Sequence, residues 1–260
     1  MSAFVQVLSD SLTMSRRNLV HALRYPVIMY FIAIPVVFLV LFVYVLGGTL
    51  GAGLPGADAA SYLEYVVPGI LLFTVAGAVS GPAISVAQDL TEGIIARFRT
   101  MDIARSAVLG GHVIGNLLQM VLAVLVVLGV AVLMGFRAPA PFWGWVGAVA
   151  VLVLVAFSMC WLGVAFGVYA KGIESASNLP MPIMMLPLLG SGFVPTESMP
   201  LWLQTFADVQ PFTPFTETVR ALLFATPLGM NGWLTLAWSV GIAAASWLWA
   251  RHLYERKSVR

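Results

Sequence analysis

The chain has 260 residues, of which 60% are hydrophobic and only 9% charged, whereas soluble domains carry roughly 25% charged residues. That balance excludes a soluble domain and points to an integral membrane protein, and nucleic acid is not an expected partner. The net charge of +2 says less than the placement of the charges along the chain.

The expected class is all-α, with about six helical spans and short loops in a single transmembrane domain over 1–260. Residues 1–25 read as an amphipathic interfacial helix. Phe4, Leu8 and Leu12 recur at helical spacing, as do Leu19 and Leu23, and Arg16, Arg17, His21 and Arg24 supply a basic side for anionic headgroups. The alternative is a frayed polar tail. The stretch is too polar for a cleavable signal. A first span is predicted over 26–46, with Pro35 bending its middle, and a Gly-rich loop follows from Gly47 to Ala60. The second span covers 62–87.

Residues 89–108 then form a long polar interruption between two spans. Ile94, Ile95, Phe98, Met101 and Ile103 alternate there with Asp89, Glu92, Arg97, Arg99, Asp102 and Arg105. This pattern suits a short amphipathic helix at the membrane face, with Phe98 as an apolar knob and the arginines as a charged rim for a partner's groove. The alternative is a loop whose arginines meet lipid headgroups.

The third span is predicted over 109–136 and the fourth over 143–169, with Trp143 and Trp145 as interface anchors. Pro180, Pro182 and Pro187 should bend or break the fifth, 176–194. The segment 195–230 is too rich in Trp, Phe and Leu for a loose loop, and it reads as two short helices dipping into the membrane. The first of these is LWLQTFADV. The second is expected from about Phe215, after Pro211 and Pro214, with Glu217 and Arg220 spaced to pair. The last span covers 233–250.

If the N-terminus is cytoplasmic, every Lys and Arg of the 13 falls on the cytoplasmic side except Arg137 and Arg220. The positive-inside bias therefore places both termini and 89–108 in the cytoplasm. Ionisable residues are nearly absent from the span interiors. Glu64, Asp89 and Glu174 lie at span ends, which argues against an ion-coupled carrier with midplane carboxylates. The chain has no GxxxxGK[ST] and no GxSxG. His21, His112 and His252 are scattered, and the single Cys160 cannot form an intrachain disulfide. The driving energy must therefore enter from a partner. Met181, Met184 and Met185 beside the prolines suit either an adaptable apolar site or gap filling in a bent helix. Phe38, Phe42 and Phe73 suit either a path for planar molecules or packing and lipid contact.

Three patches carry a family resemblance: EGIIARFRTMDIARSAVLGG from Glu92 to Gly111, NLPMPIMMLPLLGSGFVPTESMP from Asn178 to Pro200, and QPFTPFTETVRALL from Gln210 to Leu223. With the order of spans, they resemble the permeases of type-2 ABC exporters, especially the daunorubicin-resistance-like drug permeases. Family members often carry Pro and then Ser-Arg after the Arg-Phe-Arg run. Here Asp102 and Ala104 stand in those places, and Arg105 is kept.

The resemblance implies a half-transporter of a bacterial cell membrane that is not itself an enzyme. Two permease chains, identical or paralogous, would pair, and each would bind one ABC ATP-binding subunit that holds ATP and Mg2+. The interfacial helix and Glu92, Gly93, Arg97, Phe98, Arg99, Met101 and Arg105 would meet that subunit. A hydrophobic drug or lipid-like substrate would pass Phe38, Phe42, Phe73, Met181, Met184 and Met185. Trp202, Phe212, Glu217 and Arg220 would close the outer side. The rival readings are a carbohydrate or polymer exporter of the same class and a non-transporting membrane scaffold.

Overall fold

The structure, a computed structural model, describes residues 27–47, 59–92 and 105–257. The interfacial helix expected over 1–25, most of the 47–60 loop and the segment 93–104 lie outside the described residues. Among the described residues every regular element is a helix. In hydrocarbon each backbone N–H and C=O must find its partner within the segment, so apolar runs of this length have little alternative.

Helix α1, Val27–Val40, carries Pro35 in its interior and continues as a π-helix over Leu41–Leu46. Helix α2, Ala59–Ala76, passes through a 3-10 turn, Gly77–Val79, into α3, Ser80–Thr91. The tightening has a local cause. Pro82 has no N–H to offer the Ala78 carbonyl, and the Ser80 N–H bonds the Gly77 carbonyl in place of the α-helical acceptor at Ala76. The second span therefore runs further than 62–87, as an apolar helical stretch of 30 residues, Tyr62–Thr91. Thr91 Oγ1 donates to the Ala87 carbonyl at 2.6 Å, and Gln88 Nε2 donates to Glu92 Oε1 at 2.8 Å, holding the last turn. Asp89 thus belongs to the span helix.

Helix α4, Arg105–Leu133, starts before the predicted third span and stops three residues short of its end. The stop is a Schellman motif. Gly135 takes φ +107°, its N–H bonds Val132 O at 3.1 Å, and the Phe136 N–H bonds Ala131 O at 2.9 Å. Arg137 adds two guanidinium bonds, to Val132 O at 3.3 Å and Phe136 O at 3.1 Å. This cation is thereby occupied as a cap on the negative end of α4.

Helix α5, Phe142–Tyr169, follows Pro141. The predicted fifth span is no single helix. It breaks into α6, Ile173–Asn178, then α7, Met181–Met185, then a 3-10 turn, Leu186–Leu189. Each break falls at one of the three prolines or beside it, where an N–H is missing. Helix α8 is Leu201–Val209 and α9 is Phe212–Leu223. The latter starts three residues before the expected Phe215. Pro214 sits in its first turn, where its missing N–H costs nothing, and Gln210 Oε1 accepts the Phe212 N–H at 3.0 Å. Helix α10, Gly229–Lys257, extends beyond 233–250 at both ends.

Among the described residues four helical stretches are long and apolar enough to cross a bilayer: Tyr62–Thr91, Leu109–Leu133, Phe142–Tyr169 and Gly229–Tyr254. Ile32–Leu46 is a shorter apolar helix. The α2–α3 helix is the centre of the packing. Val66, Val67, Ile70, Leu71, Val75 and Val79 are fully enclosed by α1, α4, α5 and α9. On one side α5 approaches as closely as two backbones can, because Gly163 rests on the Val79 carbonyl and Gly167 on that of Ala83. These two glycines are spaced as GxxxG, the arrangement that lets membrane helices touch. Helix α10 packs on α5 and α9 and leaves much of its apolar surface outward.

Candidate functional site

Two polar centres lie at opposite ends of the α2–α3 helix. The first is beside the segment 92–104. His112 Nε2 stands 3.1 Å from Asp89 Oδ2, and both side chains are nearly enclosed. His112 Nδ1 lies 3.2 Å from Ser85 Oγ. Asn116 donates from Nδ2 to the His112 carbonyl at 2.8 Å, and its carboxamide fills the space that a Cβ at Gly81 would take. Gly81, Ser85 and Asp89 therefore form one stripe of α3 at i, i+4, i+8, facing His112 and Asn116 on α4. Glu92 is exposed and caps α3, with its N–H on Gln88 O at 2.9 Å. Arg105 opens α4. Gly93, Arg97, Phe98, Arg99 and Met101 lie outside the described residues.

The second centre gathers around the turn that follows the broken fifth segment. Arg220 pairs with Glu217 one turn earlier on α9. Its other terminal nitrogen donates to Ser191 O at 3.0 Å and Tyr65 O at 3.2 Å, and its guanidinium carbon stands 4.1 Å from the centre of the Tyr65 ring. Tyr65 donates its hydroxyl to Ser191 O at 2.8 Å, and Tyr62 donates to Phe193 O at 3.2 Å. Gly192 lies backbone to backbone on Gly69 of α2, where a Cβ on Gly69 would stand 2.3 Å from the Gly192 oxygen. Irregular backbone at membrane depth survives where protein groups take up its carbonyls, and two tyrosines and one arginine do so here. Phe212 is buried, while Trp202 on α8 is exposed. The expected outer set thus divides, and Glu217 and Arg220 alone meet each other.

The aromatic residues expected along a path pack together. Phe38 lies 5.1 Å from Phe73 and 6.0 Å from Phe42 between ring centres, and Phe42 lies 4.6 Å from Phe193. They form a ladder joining α1, α2 and the turn after Gly190. Met181 and Met185, four residues apart, are exposed on α7. Met184 is engaged, because Ser80 Oγ donates to its sulfur at 3.1 Å. A separate apolar cleft lies between α4 and α5 and is floored by Leu71 and Val75. None of the residues expected along a path lines it. No group of three or more His, Cys, Asp or Glu among the described residues could hold a metal ion.

A helical chain with long apolar helices, a proline-broken fifth segment, a short helix pair after it and two polar clamps is thus in hand. Residues 10–224 match the sequence profile of the ABC-2 type transporter family. The chain belongs to the ABC-2 type transporter family. It is similar to the daunorubicin resistance ABC transporter permease protein DrrB1 of Streptomyces coeruleorubidus, 32% identical over 230 residues that cover 87% of this chain and 79% of that protein. The probable doxorubicin resistance ABC transporter permease protein DrrC of Mycobacterium tuberculosis is 25% identical over 219 residues, 81% of this chain and 75% of its own length. The inner membrane transport permease YadH of Escherichia coli is 23% identical over 179 residues, covering 68% of this chain and 69% of YadH. The ABC-2 match spans α1 through α9, so both polar clamps of this permease lie inside the family region.

Proposed function

We propose that this permease is the membrane subunit of an ATP-driven exporter that moves a hydrophobic drug or lipid-like molecule out of the cytoplasm or inner leaflet. The observation that carries the reading is the 32% identity to a daunorubicin resistance permease over 87% of the chain. The chain crosses a bacterial cell membrane six times with both termini cytoplasmic, an orientation supported by the Lys and Arg distribution. Two permease chains pair, and each receives one ABC ATP-binding subunit, where ATP and Mg2+ reside. Residues 92–105 dock on that subunit. The exposed Met181 and Met185 and the half-buried Phe38 and Phe42 border the path. The Glu217–Arg220 clamp and the α8–α9 pair form the outer gate. ATP-driven closure of the ATPase pair tilts the permeases as rigid bodies.

The test is reconstitution of the permease with an ABC ATP-binding subunit in vesicles, with daunorubicin fluorescence as the probe. Accumulation that needs ATP supports the reading. Failure of the two proteins to copurify, together with no ATP-dependent movement, sinks it. Within that complex Phe98→Ala and Arg97→Glu weaken ATPase association by roughly 30-fold or more, the scale of truncating an interface anchor. Both variants still insert in the membrane at wild-type levels. Normal export in both would remove the docking assignment.

A further inference from the structure

We propose that Asp89 and His112 are positioning residues that lock the two helix ends flanking segment 92–104 into one body, so that motion of that segment is delivered to the α2–α3 helix. The inference rests on the reading that an ATPase drives the permease through that segment. Asp89 lies two residues before the end of α3 at Thr91, and His112 lies two turns into α4 from Arg105. Their contact at 3.1 Å is therefore a cross-brace just inside the base of the segment.

The seam differs in kind from the others around α3. Against α5 the helix packs through Gly163 and Gly167 on its carbonyls. Against α4 it presents Ser85 and Asp89 to His112, while Asn116 seats on Gly81. An apolar seam can slide by a fraction of a turn at low cost. A buried polar seam cannot, because every displaced partner is left unpaired in a medium that offers no substitute. Register is thus fixed where force enters. Displacement of α3 across its seam with α5, as opposed to along it, is then passed on through the glycine contacts. It also carries α2, on which the turn at Ser191–Phe193 rests. The brace makes a rigid lever of parts that would otherwise absorb the motion at the α3–α4 crossing.

The experiment uses the permease–ATPase complex in vesicles and reads three quantities: ATPase copurification, ATP hydrolysis, and daunorubicin moved per ATP. Asp89→Asn and His112→Gln retain copurification and hydrolysis. Transport per ATP falls roughly 2- to 30-fold, the range for residues that modulate coupling without touching either ligand. The exchange Asp89→His/His112→Asp recovers most of the lost coupling. The apolar pair Asp89→Leu/His112→Leu removes both polar partners, so it folds even where a single variant does not, and it stays uncoupled. Wild-type transport per ATP in that pair overturns the inference while leaving the exporter reading intact. A wild-type complex without ATP-dependent transport overturns the exporter reading and this inference with it.

Discussion

Gly163→Val sharply lowers the yield of folded permease in the membrane. A Cβ at this position would stand 2.2 Å from the Val79 carbonyl oxygen, 3.0 Å from its carbon and 3.2 Å from Pro82 Cβ. Two of these three atoms are backbone, and Val79 lies in the 3-10 turn that Pro82 imposes on the central helix. Neither partner can rotate away, so α5 must back off along its whole contact with α3. Gly167 would lose its seat on Ala83 at the same time. Overpacking of this kind costs about 3 kcal/mol or more, a large share of a total stability of about 5–15 kcal/mol. The measurement is the monodisperse yield of a fluorescent fusion after detergent extraction. Gly241→Ala is the control, because nothing lies within 4 Å of its added methyl. It keeps full yield, since alanine favours a helix interior over glycine. Wild-type yield for Gly163→Val would refute the account of the α3–α5 contact.

The helical class, the four long apolar helices and the broken fifth segment were legible because they follow from hydrocarbon thickness and proline chemistry. Both act locally on the chain. The pair of short helices α8 and α9 was legible for the same reason, and only Pro214 misled. A proline breaks a helix interior but is welcome in a first turn, and the side chain that marks this first turn, Gln210, is an unusual cap. The partner of His112 was not legible. Asp89 and His112 both stand out as polar residues near span ends, yet their meeting depends on the register and rotation of two antiparallel helices. Helices α5 and α10 are apolar nearly all round, so no hydrophobic face declares which side turns inward. One signal was available for that side. The run GVAFG, Gly163 to Gly167, has the small-residue spacing that marks close helix contact. Arg220 was seen pairing with Glu217 because i, i+3 is local. Its bonds to Tyr65 and Ser191, at 155 and 29 residues' separation, are properties of the assembled fold.

Arg220→Ala is expected to destabilise the permease by about 3 kcal/mol, the lower end for breaking one side of a buried ion pair, because this pair is only part-buried. The Glu217 side chain is about 30% exposed, so water recovers part of its loss. The carbonyls of Tyr65 and Ser191 lose a charged donor in a region with few substitutes. Arg220→Lys does not rescue. An ammonium cannot reach Glu217 and two carbonyls while standing over the Tyr65 ring, and the guanidinium does all of this. Glu217→Ala/Arg220→Ala recovers part of the loss, since the uncompensated carboxylate is gone, but the carbonyls stay short of a donor. The chain supplies its own reporter. Cys160 is its single cysteine and is fully buried, so a thiol-reactive dye in detergent reads unfolding directly. Arg220→Ala lowers the midpoint by about 6–12 °C, on the scale of 2–4 °C per kcal/mol for chains of about this size. A midpoint unchanged within 1–2 °C, well under that scale, would mean that Arg220 is solvated and that the turn at Ser191 is held by the tyrosines alone. A lowered midpoint with Lys equal to Arg would leave charge, and not the planar fork, as what holds the α9 helix to α2.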